Sequence, residues 1–92
     1  MSRRRMPWDD EYGRPVYICT DNPGSMLSRV ADRIEAEMTA NAEQVLANSR
    51  ALLASQNVSA EALRFAIRRL TECLTDVLRI AEVRGERLSD SG

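Results

Sequence analysis

Residues 59–88 read SAEALRFAIRRLTECLTDVLRIAEVRGERL, and this stretch decides the fold. Apolar residues recur in it at alternating steps of four and three, interrupted only by Arg84: Leu63, Ile67, Leu70, Leu74, Val77, Ala81 and Leu88. At 3.6 residues per turn, this spacing predicts a helix of about eight turns with one apolar stripe along it. A stripe of that length has to be covered by another element or by another chain.

Residues 23–55 predict a first helix of matching length, with a stripe at the same spacing that includes two asparagines: Leu27, Ala31, Ile34, Met38, Asn41, Val45, Asn48 and Leu52. Either Asn22 or Ser25 is a candidate N-cap, and Pro23 suits the first helical turn. Ser59 is the candidate cap of the second helix. The connection between the helices is short, so they are expected to run antiparallel. The tail, residues 89–92, is expected to fray.

Residues 1–22 differ from the rest, since prolines and aromatic residues concentrate there. They predict an extended arm, with a short strand around Tyr17. We expect residues 1–6 to be disordered and residues 12–19 to dock on the helices, against the alternative of an arm that touches nothing. The aromatic residues expected to contact the arm or a partner are Trp8, Tyr12, Tyr17 and Phe65.

The second helix has a further apolar row beside its stripe, formed by Ala66, Cys73 and Ile80. Two helices alone bury too little apolar area to offset the entropy of ordering them, so this row needs a partner. The predicted fold is therefore all-α, a long antiparallel helical hairpin with an extended N-terminal arm, forming a four-helix bundle as a homodimer. The competing arrangement is a single hairpin covered by its own arm.

Within such a dimer, Asn41 and Met38 join Ala66, Cys73 and Ile80 as predicted self-association residues, because they lie near the middle of their helices. A buried Asn41 that meets its symmetry mate would specify the register of the helices. The alternative is that Asn41 and Asn48 face solvent. Cys73 is interpreted as a small buried hydrophobic residue, although a reactive thiol stays open.

The chain lacks the residue types and motifs that most enzyme active sites use. The chain has no histidine, only two cysteines and no glycine-rich loop, so we predict no catalytic, cofactor-binding or metal-binding residues and no enzyme activity. The N-terminus has no apolar run behind its arginines, and no segment is apolar enough to span a bilayer. We therefore expect a cytoplasmic protein.

What remains is protein–protein interaction, with the chain acting as a self-associating adaptor or regulatory subunit. The alternative is an arginine-assisted, nucleic-acid-binding or transcription-associated dimer. Its candidate contacts are two arginine groups: Arg3, Arg4, Arg5, Arg64, Arg68 and Arg69. The net charge of −1 and the acidic residues between these arginines make nucleic acid the less favoured partner.

Overall fold

The computed structural model describes residues 2–20 and 25–91, which form two strands and two helices. In chain order these are β1 (Ser2–Asp9), β2 (Pro15–Thr20), α1 (Met26–Ala54) and α2 (Ala60–Ser91). The strands form an antiparallel two-stranded sheet, and the helices pack on each other as a hairpin. The predicted helical hairpin is confirmed, but the all-α prediction has to be corrected, because the arm is β-structure.

Side-chain caps begin both helices. The backbone N–H of Ser28 donates to Ser25 Oγ over 3.3 Å, and that of Ala62 donates to Ser59 Oγ over 3.1 Å, as expected for N-caps. The predicted start of helix one at residue 23, and its alternative cap Asn22, lie outside the described residues. Helix α2 continues to Ser91, and the expected fraying of the tail stays a prediction. No helix among the described residues is long and apolar enough to cross a membrane.

A turn at residues 10–14 folds the arm back on itself. Asp10 Oδ1 accepts the backbone N–H groups of Tyr12 and Arg14, each over 2.9 Å, and Gly13 adopts a φ of 78°. Glycine suits this left-handed conformation because it has no Cβ. The sequence around Tyr17 correctly predicts a strand, and the turn supplies β1 as its partner.

The arm packs on the helices mainly through β1 rather than through residues 12–19. Strand β1 contacts both helices, with Arg5, Met6 and Pro7 buried, whereas β2 reaches α2 through the hydroxyl of Tyr17, which donates to Glu86. Residues 2–6, which were expected to be disordered, lie in strand β1. Within residues 12–19, the contacts with the helices are those of Tyr17 with Glu86 and of Ile18 and Cys19 beside the start of α1. The physical reason is that Met6 offers an apolar side chain and its arginine neighbours reach carboxylates on the helices.

The residues of α2 that face the rest of the chain belong to the second apolar row. Cys73 and Ile80 are each 5% exposed and Val83 is 1% exposed, with Ala66 half-buried. The prediction that the row of Ala66, Cys73 and Ile80 lies outside the hairpin has to be corrected, because the chain covers most of it. Whether these residues take part in self-association stays a prediction.

The buried side of α1 combines small and larger side chains. Ser28 and Ala31 are buried, as are Glu35 and Val45, and Met38 is half-buried. Asn41 and Asn48 are exposed in the single chain, which corresponds to the solvent-facing alternative. Small side chains on both helices allow the close approach that covers the second row.

Candidate protein-interaction surface

Helix α2 carries two neighbouring apolar rows that point in different directions. The inner row is Ala66, Cys73 and Ile80, and it faces the rest of the chain. The members of the other row lie one residue after or three residues before those of the inner row, which rotates this row by about 60–100° around the helix. We call this row the open stripe, and its members are Leu63, Ile67, Leu70, Leu74 and Val77.

The open stripe is uncovered among the described residues. Leu63 is 43% exposed, Ile67 63%, Leu70 36%, Leu74 60% and Val77 36%, although this was the stripe predicted to need a cover. Leu78, on the next row, is 61% exposed and widens the same surface. Soluble monomers seldom leave large contiguous apolar patches open to water, so this surface is the leading candidate for a protein contact.

Two threonines beside the open stripe have their hydroxyl groups satisfied within the helix. Thr71 donates to the carbonyl of Ile67, and Thr75 donates to the carbonyl of Thr71, each over 2.8 Å. A hydroxyl that already has an acceptor costs less to bury than one without a partner. The threonine methyl groups extend the apolar surface. A partner could cover this side of the helix without leaving the two hydroxyl groups unsatisfied, because each already has a hydrogen-bond acceptor.

The arm is held on another side of α2 by an arginine clasp, which we define as Arg4 and Arg5 with their acidic partners. Arg5 Nη1 lies 3.1 Å from Glu82 Oε1 and 3.5 Å from Glu86 Oε2. Arg79 Nη1 on α2 lies 3.1 Å from Asp9 Oδ2 on β1. At 3.6 residues per turn, Arg79 and Glu86 lie roughly opposite the open stripe. The arm therefore docks without covering that stripe.

Arg4 extends the clasp to α1. Its Nη2 lies 2.6 Å from Asp32 Oδ1 and 3.8 Å from Glu35 Oε2, and its Nη1 donates to the carbonyl of Ser28 over 3.2 Å. Glu35 is only 3% exposed, so this arginine brings positive charge to a carboxylate that the fold removes from water. Strand β1 thus joins the first turns of α1 to the last turns of α2.

The clasp also stabilises the charged form of Arg5. Burial of the side chain by itself lowers its pKa, but the hydrogen bond and charge of Glu82, followed by those of Glu86, outweigh burial and raise the pKa above the ordinary value. Arg5 consequently keeps its positive charge at neutral pH.

The predicted aromatic contacts do not gather at one place. Trp8 is half-buried in β1, and Tyr12 is 73% exposed at the turn, under the guanidinium of Arg14. Tyr17 donates from its hydroxyl to Glu86 Oε1 over 3.4 Å. Phe65 is 61% exposed in the half of α2 nearest the helix–helix connection, away from the arm's partners at residues 79–86.

The six predicted nucleic-acid contacts are also separated. Arg4 and Arg5 belong to the clasp, and the guanidinium carbon of Arg3 lies 4.3 Å from the centre of the Tyr17 ring. Arg69 Nη1 lies 2.5 Å from Glu72 Oε2, while Arg64 and Arg68 are exposed. The described residues therefore do not present these arginines as one basic surface.

Sequence reasoning missed the acidic half of the clasp. Asp32 on α1 and Glu82 and Glu86 on α2 are ordinary helix-surface residues by their spacing. The only signal was the i,i+4 spacing of Glu82 and Glu86, which places both on one side of a helix. Nothing in the sequence links them to Arg5, which lies about eighty positions earlier.

No group of three or more metal-binding side chains occurs within residues 2–20 and 25–91. Comparisons with protein-family models, curated proteins and solved structures gave no significant match.

Proposed function

We propose that this protein is a non-catalytic, self-associating interaction protein, an adaptor or regulatory subunit whose contact surface is the open stripe of α2. In this proposal two hairpins pair through their α2 helices as a homodimer and form a four-helix assembly. The supporting observation is that Leu63, Ile67, Leu70, Leu74 and Val77 remain 36–63% exposed at the alternating spacing of a helix–helix contact.

The apolar surface of the open stripe is large enough for its burial to offset the cost of forming a dimer. Burying one such side chain completely contributes about 1.5–3 kcal/mol, and about half of each stripe side chain is still exposed. Burying the stripes of two copies would then contribute about 7–14 kcal/mol of favourable free energy. This is comparable with the cost of about 4–15 kcal/mol for the translational and rotational freedom lost on association. Leu78 and the methyl groups of Thr71 and Thr75 add to the gain.

An antiparallel pairing of the two α2 helices brings opposite charges of the two copies near each other. Around a two-fold axis near residue 72, Ile67 of one copy faces Val77 of the other, and Arg64 comes near Glu82. Arg64 is exposed, and the Glu82 side chain is 59% exposed although it contacts Arg5. The nearness of these opposite charges favours the antiparallel orientation.

The two free cysteines are compatible with a reducing cellular compartment. Cys19 is an exposed free thiol and Cys73 a buried one. Exposed thiols persist where glutathione and thioredoxin keep them reduced, so we propose that the protein is cytoplasmic.

Nucleic-acid binding is less supported. Arg4 and Arg5 already pair with carboxylates on the helices, and Arg69 pairs with Glu72. Releasing these arginines to phosphate groups would leave Glu35, which is almost fully buried, without the nearby charge of Arg4.

The test is the mass of the full chain in solution by light scattering after size exclusion. We expect wild type to have twice the chain mass at micromolar concentration, and Leu74→Glu to have the single-chain mass with unchanged helix content. The matched control is Met26→Glu, which also puts a charge on an exposed apolar residue but at the start of α1. A monomeric wild type, or a Leu74→Glu protein that is still a dimer, would contradict pairing through the open stripe.

A further inference from the structure

A cavity of about 350 Å³ lies between the helices near their connection, away from the arm. Its apolar walls come from both helices: Val45, Ala51 and Leu52 on α1, and Ala62, Phe65 and Ala66 on α2. The volume is at the lower end of the range of small-molecule sites, and such sites combine apolar walls with a few polar groups. No open-stripe residue lines the cavity, so it is distinct from the proposed pairing surface.

The polar groups of the cavity are mostly hydrogen-bond donors. The lining contains Asn48, Ser49 and Arg69, and no carboxylate. Ser49 uses its hydroxyl hydrogen on the carbonyl of Val45, over 2.7 Å. Asn48 Oδ1 accepts from Gln44 Nε2 over 3.2 Å, so the amide nitrogen of Asn48 is the group that keeps donor hydrogens for a ligand.

Arg69 brings positive charge to this rim. Within the described residues it pairs with Glu72 through Nη1, and the guanidinium has five N–H donors, so most of its donors are not used by that contact. Glu72 itself does not line the cavity, and its contact holds the guanidinium at the rim. Planar guanidinium groups match carboxylates in geometry as well as in charge.

We infer that this cavity binds a small amphiphilic anion, an apolar body that ends in one carboxylate. The body would lie against Phe65 and the alanine and leucine walls, and the carboxylate would accept hydrogen bonds from Arg69 and Asn48. An uncharged apolar molecule would gain the same burial without these hydrogen bonds, and a dianion would bring a second charge into the apolar part of the cavity.

The test is a titration of the ¹⁵N-labelled full chain with decanoate, followed through the backbone amide shifts. We expect saturable 1:1 binding, with shifts concentrated at the cavity residues such as Val45, Ala62 and Arg69. Uncharged 1-decanol should bind about tenfold more weakly, and Arg69→Gln should weaken decanoate binding by a similar factor. The matched control is Arg68→Gln, an exposed neighbour that does not line the cavity and should bind as wild type.

A cavity-filling variant gives a second, charge-independent measurement. Ala62→Leu should block decanoate while retaining the helical circular dichroism spectrum. The inference is overturned if decanoate gives no saturable shifts, if the shifts fall on the open stripe instead, or if Arg69→Gln and Arg68→Gln bind equally well. None of these results depends on whether the chain is a dimer, so this inference and the proposed function fail separately.

Discussion

Arg5 on β1 and Glu82 on α2 lie 3.1 Å apart, measured from Nη1 to Oε1, although 77 positions separate them in the sequence. The contact ties an N-terminal strand to the last turns of the second helix. Because it lies on a different side of α2 from the open stripe, the protein can hold its own arm and present an apolar surface at the same time.

Removing the charge at Arg5 should destabilise the fold. Arg5→Met keeps an apolar stem in the buried site but leaves Glu82 and Glu86 without their arginine, at an expected cost of about 1–2 kcal/mol. This cost is smaller than that of breaking a fully buried ion pair, because both glutamates are more than 40% exposed. Urea unfolding measures the cost. Arg14→Met is the control: its 69%-exposed side chain pairs with Asp10 at the turn, so its loss should be at most about 0.5 kcal/mol. Equal losses in the two variants would contradict a structural role for the clasp.

The two described glycines should respond oppositely to alanine. Gly13 has a φ of 78°, so Gly13→Ala should cost about 1 kcal/mol at the turn. Gly85 lies inside α2 with nothing within 4 Å of an added Cβ, so Gly85→Ala should stabilise by about 0.5–1 kcal/mol. Chemical unfolding of both variants against wild type checks the signs, and a loss of stability in Gly85→Ala would show that α2 is not a regular helix there.

The inner row should carry the packing energy of the hairpin. Ile80 is 5% exposed, so Ile80→Ala should cost about 2–4 kcal/mol through lost burial and the cavity left behind. Leu53 is 83% exposed at the end of α1, and Leu53→Ala should change stability by no more than about 0.5 kcal/mol. Thermal and urea unfolding measure both. If the two costs were alike, the assignment of Ile80 to the core would fail.

Asp10 should make the turn sensitive to acid. The backbone N–H of Arg14 is the main cause that lowers the pKa of Asp10 from its ordinary value of 3.8, aided by the N–H of Tyr12 and by the Arg14 side chain, against a smaller opposing effect of burial. A folded-state pKa below the unfolded value means that the carboxylate stabilises the fold above about pH 4 and loses that contribution as pH falls through the folded-state pKa.

Asp10→Asn removes this titration while keeping a side-chain acceptor. The free energies of unfolding of wild type and Asp10→Asn should therefore converge as the pH is lowered from about 5 to below 3. The measurement is urea unfolding across that range. A constant difference between the two proteins would rule out Asp10 as the titrating group.

The two thiols should differ in their reaction with a disulfide reagent. Cys19 on β2 is exposed and should react at once, whereas Cys73, at 5% exposure, should react at least about a hundredfold more slowly because it requires local opening. Stopped-flow and manual kinetics resolve the two phases. Cys19→Ser should leave only the slow phase, and a fast phase in that variant would place Cys73 at the surface.

Local signals in the sequence are sufficient to predict the two helices. Ser59, the short connection and the apolar spacing lie within a few residues of the structures they specify, so the hairpin and both observed caps follow from propensity, capping and periodicity. The arm was harder to predict. The strand around Tyr17 was visible, but its pairing with β1 depended on the Asp10–Gly13 turn, a signal present in the sequence and not recognised.

The sequence by itself determined two long helices, their antiparallel order and the existence of two adjacent apolar rows on α2. Only the tertiary structure decided which row lies inside. Their members lie one or three residues apart, about 60–100° of rotation, so periodicity ranks the two rows almost equally. The row with small members, Ala66 and Cys73, lies inside because it allows the helices to approach closely, and the bulkier leucines and isoleucine of the open stripe remain exposed. The arginine clasp likewise needed the fold, because only folding brings Arg5 to Glu82.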